Sequence, residues 1–208
     1  MVNVILVDDD EMSCELLKKY INESERYKCV MATTEVNGIK ECIERGNIEL
    51  ILLDICSTLN ECGFEIAKKY KEIFPHLKII IMTKYPEYSY IRRAMESKAD
   101  SFWYKVAEED ELIDIMDKTM GGTSIYPRKT LSVKFGNVLS EELTEREVEV
   151  LRELVRGETD TSIANHIHMS LRSVKGYIQS MRNKTGCRNR TELAVNARAL
   201  GLIINRQD

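Results

Sequence analysis

The chain has 208 residues, 43% of them hydrophobic, and carries 30 Lys and Arg against 34 Asp and Glu for a formal net charge of −4. That length holds one large domain or two small ones, and the apolar content is enough to build ordinary globular cores. No apolar run approaches the roughly 20 residues of a membrane span, and the first residues enter a strand pattern instead of a basic and then apolar leader, so the expectation is a cytoplasmic protein with no membrane partner.

Taken in chain order, strand-like and helix-like segments alternate: "VNVILV", a helix near 11–23, "KCVMA", a helix near 36–45, "ELILLD", a helix near 63–73, "KIIIMT", a helix near 87–97, "SFWYK", and a helix near 108–119. Such βα repetition predicts a parallel sheet covered by helices on both faces. Gly121 to Ser140, with "GGTS", Pro127 and Gly136, breaks the rhythm and reads as a linker. Beyond it no strand pattern returns. "LTEREVEVLRELVRG", "TDTSIANHI", "SLRSVKGYIQSMRNKT" and "RTELAVNARALG" read as four short helices, the first entered by a capping box from Thr144 to Glu147. The domain reading is therefore 1–120, a linker at 121–140, and 141–208. Charge divides along the same line: residues 1–120 hold 16 Lys and Arg against 24 Asp and Glu, whereas 160–206 hold 8 against 2. An acidic front and a basic back imply different partners.

The six cysteines (Cys14, Cys29, Cys42, Cys56, Cys62 and Cys187) form no CxxC pair and no Cys/His zinc spacing, so they read as reduced thiols. His166 and His168 are two apart and do not share a helix face, which argues against a ligand pair.

The first strand ends in Asp8, Asp9 and Asp10, three carboxylates crowded where their charges repel. One of them, Asp10, suits the cap of the following helix. In a doubly wound parallel sheet, chemistry gathers outside the carboxyl ends of the strands. There the pattern places Asp8 and Asp9 after the first strand, Asp54 after the third, Thr83 after the fourth and Lys105 at the fifth. Converging carboxylates suit a hard divalent cation such as Mg²⁺ (or Mn²⁺), which relieves their repulsion. Asp54 is then free to act as nucleophile toward a phosphoryl group, with the Thr83 hydroxyl and the Lys105 ammonium binding its oxygens.

The motifs "VDDD", "ILLDI", "IIIMT" and "ADSFWYK", in this order and spacing, resemble the receiver domain of bacterial two-component response regulators. The resemblance implies a flavodoxin-like, five-stranded α/β receiver. By it, Asp8 and Asp9 match the acidic metal pair, Asp54 the phosphoacceptor, Thr83 the switch hydroxyl, Lys105 the lysine and Phe102 the aromatic switch. Cys56 falls where the family supplies a backbone carbonyl to the metal. Two departures stand out. "DICSTLNECGFE" lacks the Met-Pro turn usual after the acceptor and is about one residue longer, and Lys84 replaces a usually small residue beside the phosphoryl pocket.

The second half resembles the LuxR-type helix-turn-helix domain that ends regulators of the NarL/FixJ family, which implies a small all-α four-helix domain that binds double-stranded DNA. The residues agree. Leu171, Val174, Ile178 and Met181 form an apolar stripe, and Arg172, Lys175, Gln179 and Arg182 repeat its spacing about 100° further round. Lys175 and Gln179 are the candidates for base edges; Arg182, Lys184, Arg188 and Arg190 suit phosphates. Gly176, costly inside a helix, fits either close approach to a duplex or a neutral surface position.

Together these readings give a transcriptional regulator, phosphorylated on Asp54 by a sensor histidine kinase, that dimerises when active and binds paired DNA half-sites. It is enzymatic only in modifying itself. Two alternatives remain at this level: an atypical regulator controlled by ligand, partner or expression level, and a phosphotransferase acting on small substrates.

Overall fold

A computed structural model describes residues 1–55, 62–105 and 109–204. The chain divides into two compact units: Met1–Lys84 with Ser89–Arg128, and Tyr85–Tyr88 with the chain from Lys129 onward.

The first unit is an α/β sandwich. Its strands are β1 (Val2–Val7), β2 (Tyr27–Thr33), β3 (Leu50–Asp54), β4 (Lys78–Thr83) and β5 (Ser101–Tyr104). They pair in the order β2-β1-β3-β4-β5, every neighbouring pair parallel. The helices are α1 (Glu11–Glu23), α2 (Ile39–Gly46), α3 (Gly63–Ile73), α4 (Tyr90–Glu96) and α5 (Glu109–Met120). β3 is "LILLD" with every residue buried, the near-continuous apolar run of a strand covered on both faces. Alternation divides the core. Val4, Leu6, Leu50, Leu52, Ile80, Met82 and Trp103 pack with Leu17 and Ile21 of α1 and Leu112 and Met116 of α5. The intervening residues, among them Ile5, Ile51, Ile81 and Phe102, are buried on the opposite face.

Local signals set the ends of these elements. Asp10 is extended, and its side chain accepts from the Met12 and Ser13 amides, so it caps α1 as its residue type suggests. α2 begins at Ile39, later than the apolar spacing alone predicts, because Gly38 takes a left-handed φ of 83° and interrupts the turn before it. After α5, the chain runs beside β5: the Phe102 amide donates to the Ile125 carbonyl at 2.8 Å, and the Ile125 amide donates to Ser101 Oγ at 3.0 Å.

Among its described residues the second unit is helical apart from one small hairpin. Within 121–140, where composition shows only a break, Lys134–Phe135 (β6) and Val138–Leu139 (β7) pair antiparallel. The turn between them uses Gly136 at φ 62°, and a Cβ there would lie 1.9 Å from the Thr185 carbonyl oxygen. Phe135 is fully buried in the helical core, which accounts for an element too short to show periodicity. After a 3₁₀ turn (Ser140–Glu142) come α6 (Glu145–Val155), α7 (Asp160–His166), α8 (Leu171–Thr185) and α9 (Arg190–Ala199). Thr144, Thr159, Ser170 and Asn189 cap their N-termini, each side chain accepting a backbone amide.

α8 buries Val174, Ile178, Met181 and Thr185. Leu171, part of the expected apolar stripe, is instead 39% exposed because it opens the helix and lies beyond the end of the core. Thr185 extends the stripe at the other end, where its hydroxyl donates to the Met181 carbonyl at 2.8 Å.

Glu147 joins α6 to α8. It is almost fully buried. Its Oε2 accepts from the Thr144 amide and Lys184 Nζ, both at 2.8 Å, and its Oε1 accepts from Ser180 Oγ at 2.7 Å. Burial opposes ionisation, but the Lys184 ammonium, the Thr144 amide and the Ser180 hydroxyl outweigh it and hold the carboxyl below the ordinary glutamate value. A depressed folded-state pKa contributes stability above the unfolded value that is lost as pH falls through the folded one. Glu147→Gln is therefore expected to cost about 2 to 3 kcal/mol at neutral pH. Chemical denaturation followed by helical circular dichroism should show that gap closing in acid, below the ordinary glutamate range; a pH-independent gap would count against the ionic role.

Candidate functional site

The parallel register brings four strand ends to one edge. Val7 lies opposite Leu53, Asp54 opposite Met82 and Thr83 opposite Tyr104, so the residues that end or follow these strands meet at their carboxyl termini. Asp8 is fully buried there, and its amide donates to the Thr33 carbonyl at 3.1 Å. Its Oδ1 accepts from the Asp10 amide at 3.1 Å, and its Oδ2 accepts from Ser13 Oγ at 2.5 Å and from Lys105 Nζ at 2.8 Å. Lys105 also contacts Asp54 Oδ1 at 2.7 Å. One carboxylate oxygen from each of Asp8, Asp9 and Asp54 lies within 4.8 Å of the others.

One ammonium faces three carboxylates, and the imbalance bears on Asp54. Asp54 is 3% exposed, and burial, with Asp8 and Asp9 adding to it, raises its pKa to about 6 even though Lys105 pulls the other way. Burial works against the Lys105 charge too, but Asp54 and Asp8 prevail and hold it above the ordinary lysine value. The donor set is all hard oxygen, partly buried and short of positive charge. It fits a divalent cation such as Mg²⁺.

Thr83 is fully buried as the last residue of β4, and its carbonyl accepts the Lys105 amide at 2.8 Å. That bond ties the lysine's backbone to the strand that carries the hydroxyl. Phe102 is also fully buried, its ring edge-on to Tyr104 with centroids 4.9 Å apart. Lys84 is exposed. Cys56, with its backbone carbonyl, lies outside the described residues, as does most of the unusual loop after Asp54. The described cysteines are free thiols, and burial, with Asp8 adding, lifts Cys14 to about 11, which keeps it protonated.

Two residues that motif matching did not single out belong to this edge. Ser13 fixes one Asp8 oxygen; its place in the first turn of α1 was legible, its target across the loop was not. Gly63 opens α3 against the acceptor's own backbone, and a Cβ there would sit 2.5 Å from the Asp54 carbonyl oxygen and 3.1 Å from Ile55 Cα.

A second candidate surface lies on α8. Arg172, Lys175 and Gln179 are exposed, off the face that α8 buries. Among the described residues Arg172 and Lys175 have no hydrogen bond or ion pair to protein, whereas Gln179 donates to Asn183 at 2.7 Å. The other cations are partly engaged. Arg182 donates to Gln179 Oε1 at 3.2 Å and to the carbonyls of Cys187 and Arg188. Lys184 is held by Glu147 and the Glu142 carbonyl, Arg190 by Asp160 and the Glu158 carbonyl, and Arg188 lies 3.5 Å from Glu192.

Residues 4–117 match the response regulator receiver domain. The chain belongs to that family. Residues 141–197 match the bacterial regulatory proteins of the luxR family, which makes this a DNA-binding response regulator of luxR type and a transcription regulator. The response regulator protein VraR of Staphylococcus saprophyticus is 28% identical over 205 residues, covering 94% of this chain and 96% of its own. VraR of Staphylococcus aureus strain NCTC 8325 is likewise 28% identical over the same shares. In fold, the chain resembles RcsB of Salmonella enterica serovar Typhimurium bound to promoter rprA in the presence of the phosphomimetic BeF3− (TM-score 0.63, 20% identity, 94% of this chain and 98% of that one). It also resembles RcsB in a structure of two dimers bound to two parallel DNAs (TM-score 0.65, 19% identity, 96% and 98%). Among the described residues no helix is long and apolar enough to cross a membrane.

The Gly63 contact makes a direct prediction. Gly63→Ala forces the Asp54 backbone or α3 to move, an overpacking expected to cost about 1 to 3 kcal/mol in chemical denaturation. Unchanged stability would mean that the close approach relaxes freely.

Proposed function

We propose that Asp54 accepts a phosphoryl group from a phosphohistidine of a partner sensor histidine kinase, and that this modification promotes dimerisation and promoter binding. The observation that carries the reading is the convergence of Asp8, Asp9 and Asp54 on one sheet edge with Lys105 bridging two of them. In the transfer, a carboxylate oxygen of Asp54 forms the new bond to phosphorus, the bond from phosphorus to the kinase imidazole breaks, and the electron pair leaves with the imidazole nitrogen. Asp8, Asp9, Asp54 and the Cys56 carbonyl would hold Mg²⁺ (or Mn²⁺), which neutralises developing charge on the phosphoryl oxygens. Lys105 then exchanges its Asp54 partner for a phosphoryl oxygen, and the Thr83 hydroxyl donates to another. Phe102, buried on the neighbouring strand, follows the rearrangement of β4 and β5 and relays it to the surface that pairs two receivers.

The DNA-binding half would work as a dimer on paired half-sites, since one helix-turn-helix buries little surface. RcsB dimers bound to DNA provide a parallel for that assembly. On this chain, Lys175 and Gln179 are assigned to base edges and Arg172 to the duplex face of α8. Arg182, Arg188 and Arg190 are assigned to phosphates, and Lys184 reaches them while braced by Glu147.

Two outcomes test the reading. Incubated with acetyl phosphate and Mg²⁺, the full chain should gain one phosphoryl group by intact mass, and Asp54→Asn or a chelator should abolish the gain. Labelling that survives both sinks the Asp54 assignment, and a chain that never labels points to control by ligand, partner or expression level. Labelled protein should also shift toward dimer in light scattering and bind duplex DNA more tightly, with affinity falling as salt rises. Arg172→Ala is expected to lower the salt slope by about 1.

A further inference from the structure

We infer that Gly176 is a specificity-determining residue for DNA: its missing side chain leaves a notch on the outermost line of α8 that receives the C5-methyl group of a thymine in the major groove. The inference rests on α8 being the helix that enters the duplex.

Gly176 stands well inside a helix of 15 residues that is closed at both ends. Ser170 Oγ accepts the Ser173 amide at 3.0 Å, and Gly186, with φ 78°, donates its amide to the Arg182 carbonyl at 2.8 Å. Nothing local asks for glycine between them. Interior glycine is disfavoured in a helix because it carries the largest backbone entropy into the fold, so its presence needs another cause.

Two intramolecular causes of an interior glycine are absent here. The first is a left-handed conformation, which Gly176 does not adopt. The second is a crowded neighbour. A Cβ built on Gly176 meets nothing within 4 Å, whereas one on Gly63 or Gly136 collides with backbone. The described residues of the chain give no reason for the glycine.

Its position supplies one. At about 100° per residue, Val174, Ile178, Met181 and Thr185 set the direction of the core, and Gly176 lies opposite them. Arg172 precedes it by about one turn and Gln179 follows by about one turn, both set about 40° to 60° round the helix on one side of it, so the two long side chains flank the glycine along that edge. The surface that faces away from the domain therefore reads cation, gap, amide. The major groove, about 12 Å wide, admits a helix about 10 to 12 Å across with little to spare, so one methyl on the leading line decides how deep the helix sits. Arg172 and Gln179 are long enough to reach past such a gap. The gap itself has no polar side chain to offer, and the apolar group displayed on base edges in that groove is the thymine methyl.

The test uses the full chain and a duplex that the wild type selects from a randomised pool. Gly176→Ala should bind that duplex about tenfold more weakly, while binding to unselected duplex changes by less than about twofold. Replacing single thymines of the selected duplex with deoxyuridine should identify one position where the wild type loses affinity and Gly176→Ala loses none. The variant is expected to fold better, by about fivefold in the ratio of folded to unfolded protein, so weakened binding cannot be put down to unfolding. Equal binding of the selected duplex by both proteins overturns the inference, as does an equal loss on selected and unselected duplex or a fall in stability of the variant. A wild type that binds no duplex at all overturns the DNA-reading role of α8 itself, a different result from a wild type that binds and a variant that binds equally well.

Discussion

Lys105 placed between Asp8 and Asp54, at 2.8 and 2.7 Å, is the contact on which the first unit depends. A parallel sheet with helices on both faces collects its strand ends at one edge, and here those ends carry three carboxylates, two of them buried. Burying such charge unpaired is prohibitive. One ammonium relieves part of it, and burial, with Asp8 and Asp9 adding, still holds the Asp54 pKa up at about 6. The rest of the edge is organised around that deficit. Ser13 and the Asp10 amide spend their hydrogen bonds on Asp8, and Thr83 holds the Lys105 backbone through its own carbonyl. Packing alone does not account for this arrangement; three converging carboxylates of hard oxygen fit a divalent cation.

The second unit uses a buried charge to a different end. Glu147 ties the start of α6 to α8 through Ser180 and Lys184, and its partners satisfy both carboxylate oxygens. A buried ion pair contributes little net stability against an apolar alternative, but it fixes one geometry, since breaking it strands a charge. The consequence is that α8 is held along one side at Ser180 and Lys184, while Arg172, Lys175 and Gln179 stay exposed. Arg182 and Arg190, bonded to carbonyls at the ends of α7, α8 and α9, stiffen the same frame while leaving donors for other partners.

How much of this was legible in the sequence follows from the range of the interactions involved. The five βα units come from period and composition, and the sheet edge that gathers Asp8, Asp54, Thr83 and Lys105 follows from the general rule for parallel sheets. The caps at Asp10 and Thr144 involve neighbours a few residues away and could be read directly. What escaped depends on distant partners. Gly63 reads only as the start of a helix until Asp54's carbonyl is found against it. Lys184 reads as a surface cation until Glu147, 37 residues earlier, is seen beneath it. The β6 and β7 hairpin is too short for any period to show, and exists because Phe135 fills the helical core and Asn137 donates to the Thr185 carbonyl. Leu171 belongs to the apolar stripe by spacing, yet spacing does not say where the core stops.

In the proposed reaction, the chemistry at Asp54 changes the charge pattern that the edge was built to hold. Once its oxygen is bonded to phosphorus, Asp54 no longer offers Lys105 a carboxylate, and negative charge moves outward onto the phosphoryl oxygens. Lys105 cannot keep both of its contacts. Asp8 is fixed by Ser13 and the Asp10 amide and stays in place, so the lysine is the element that must yield. Its amide is bonded to the Thr83 carbonyl, and Phe102 lies three residues before it on β5, packed against Tyr104. A displacement of Lys105 is therefore shared by the ends of β4 and β5 together. The same bond that keeps the resting edge rigid makes it respond as one piece, which is the physical requirement for a local charge event to be read elsewhere on the molecule.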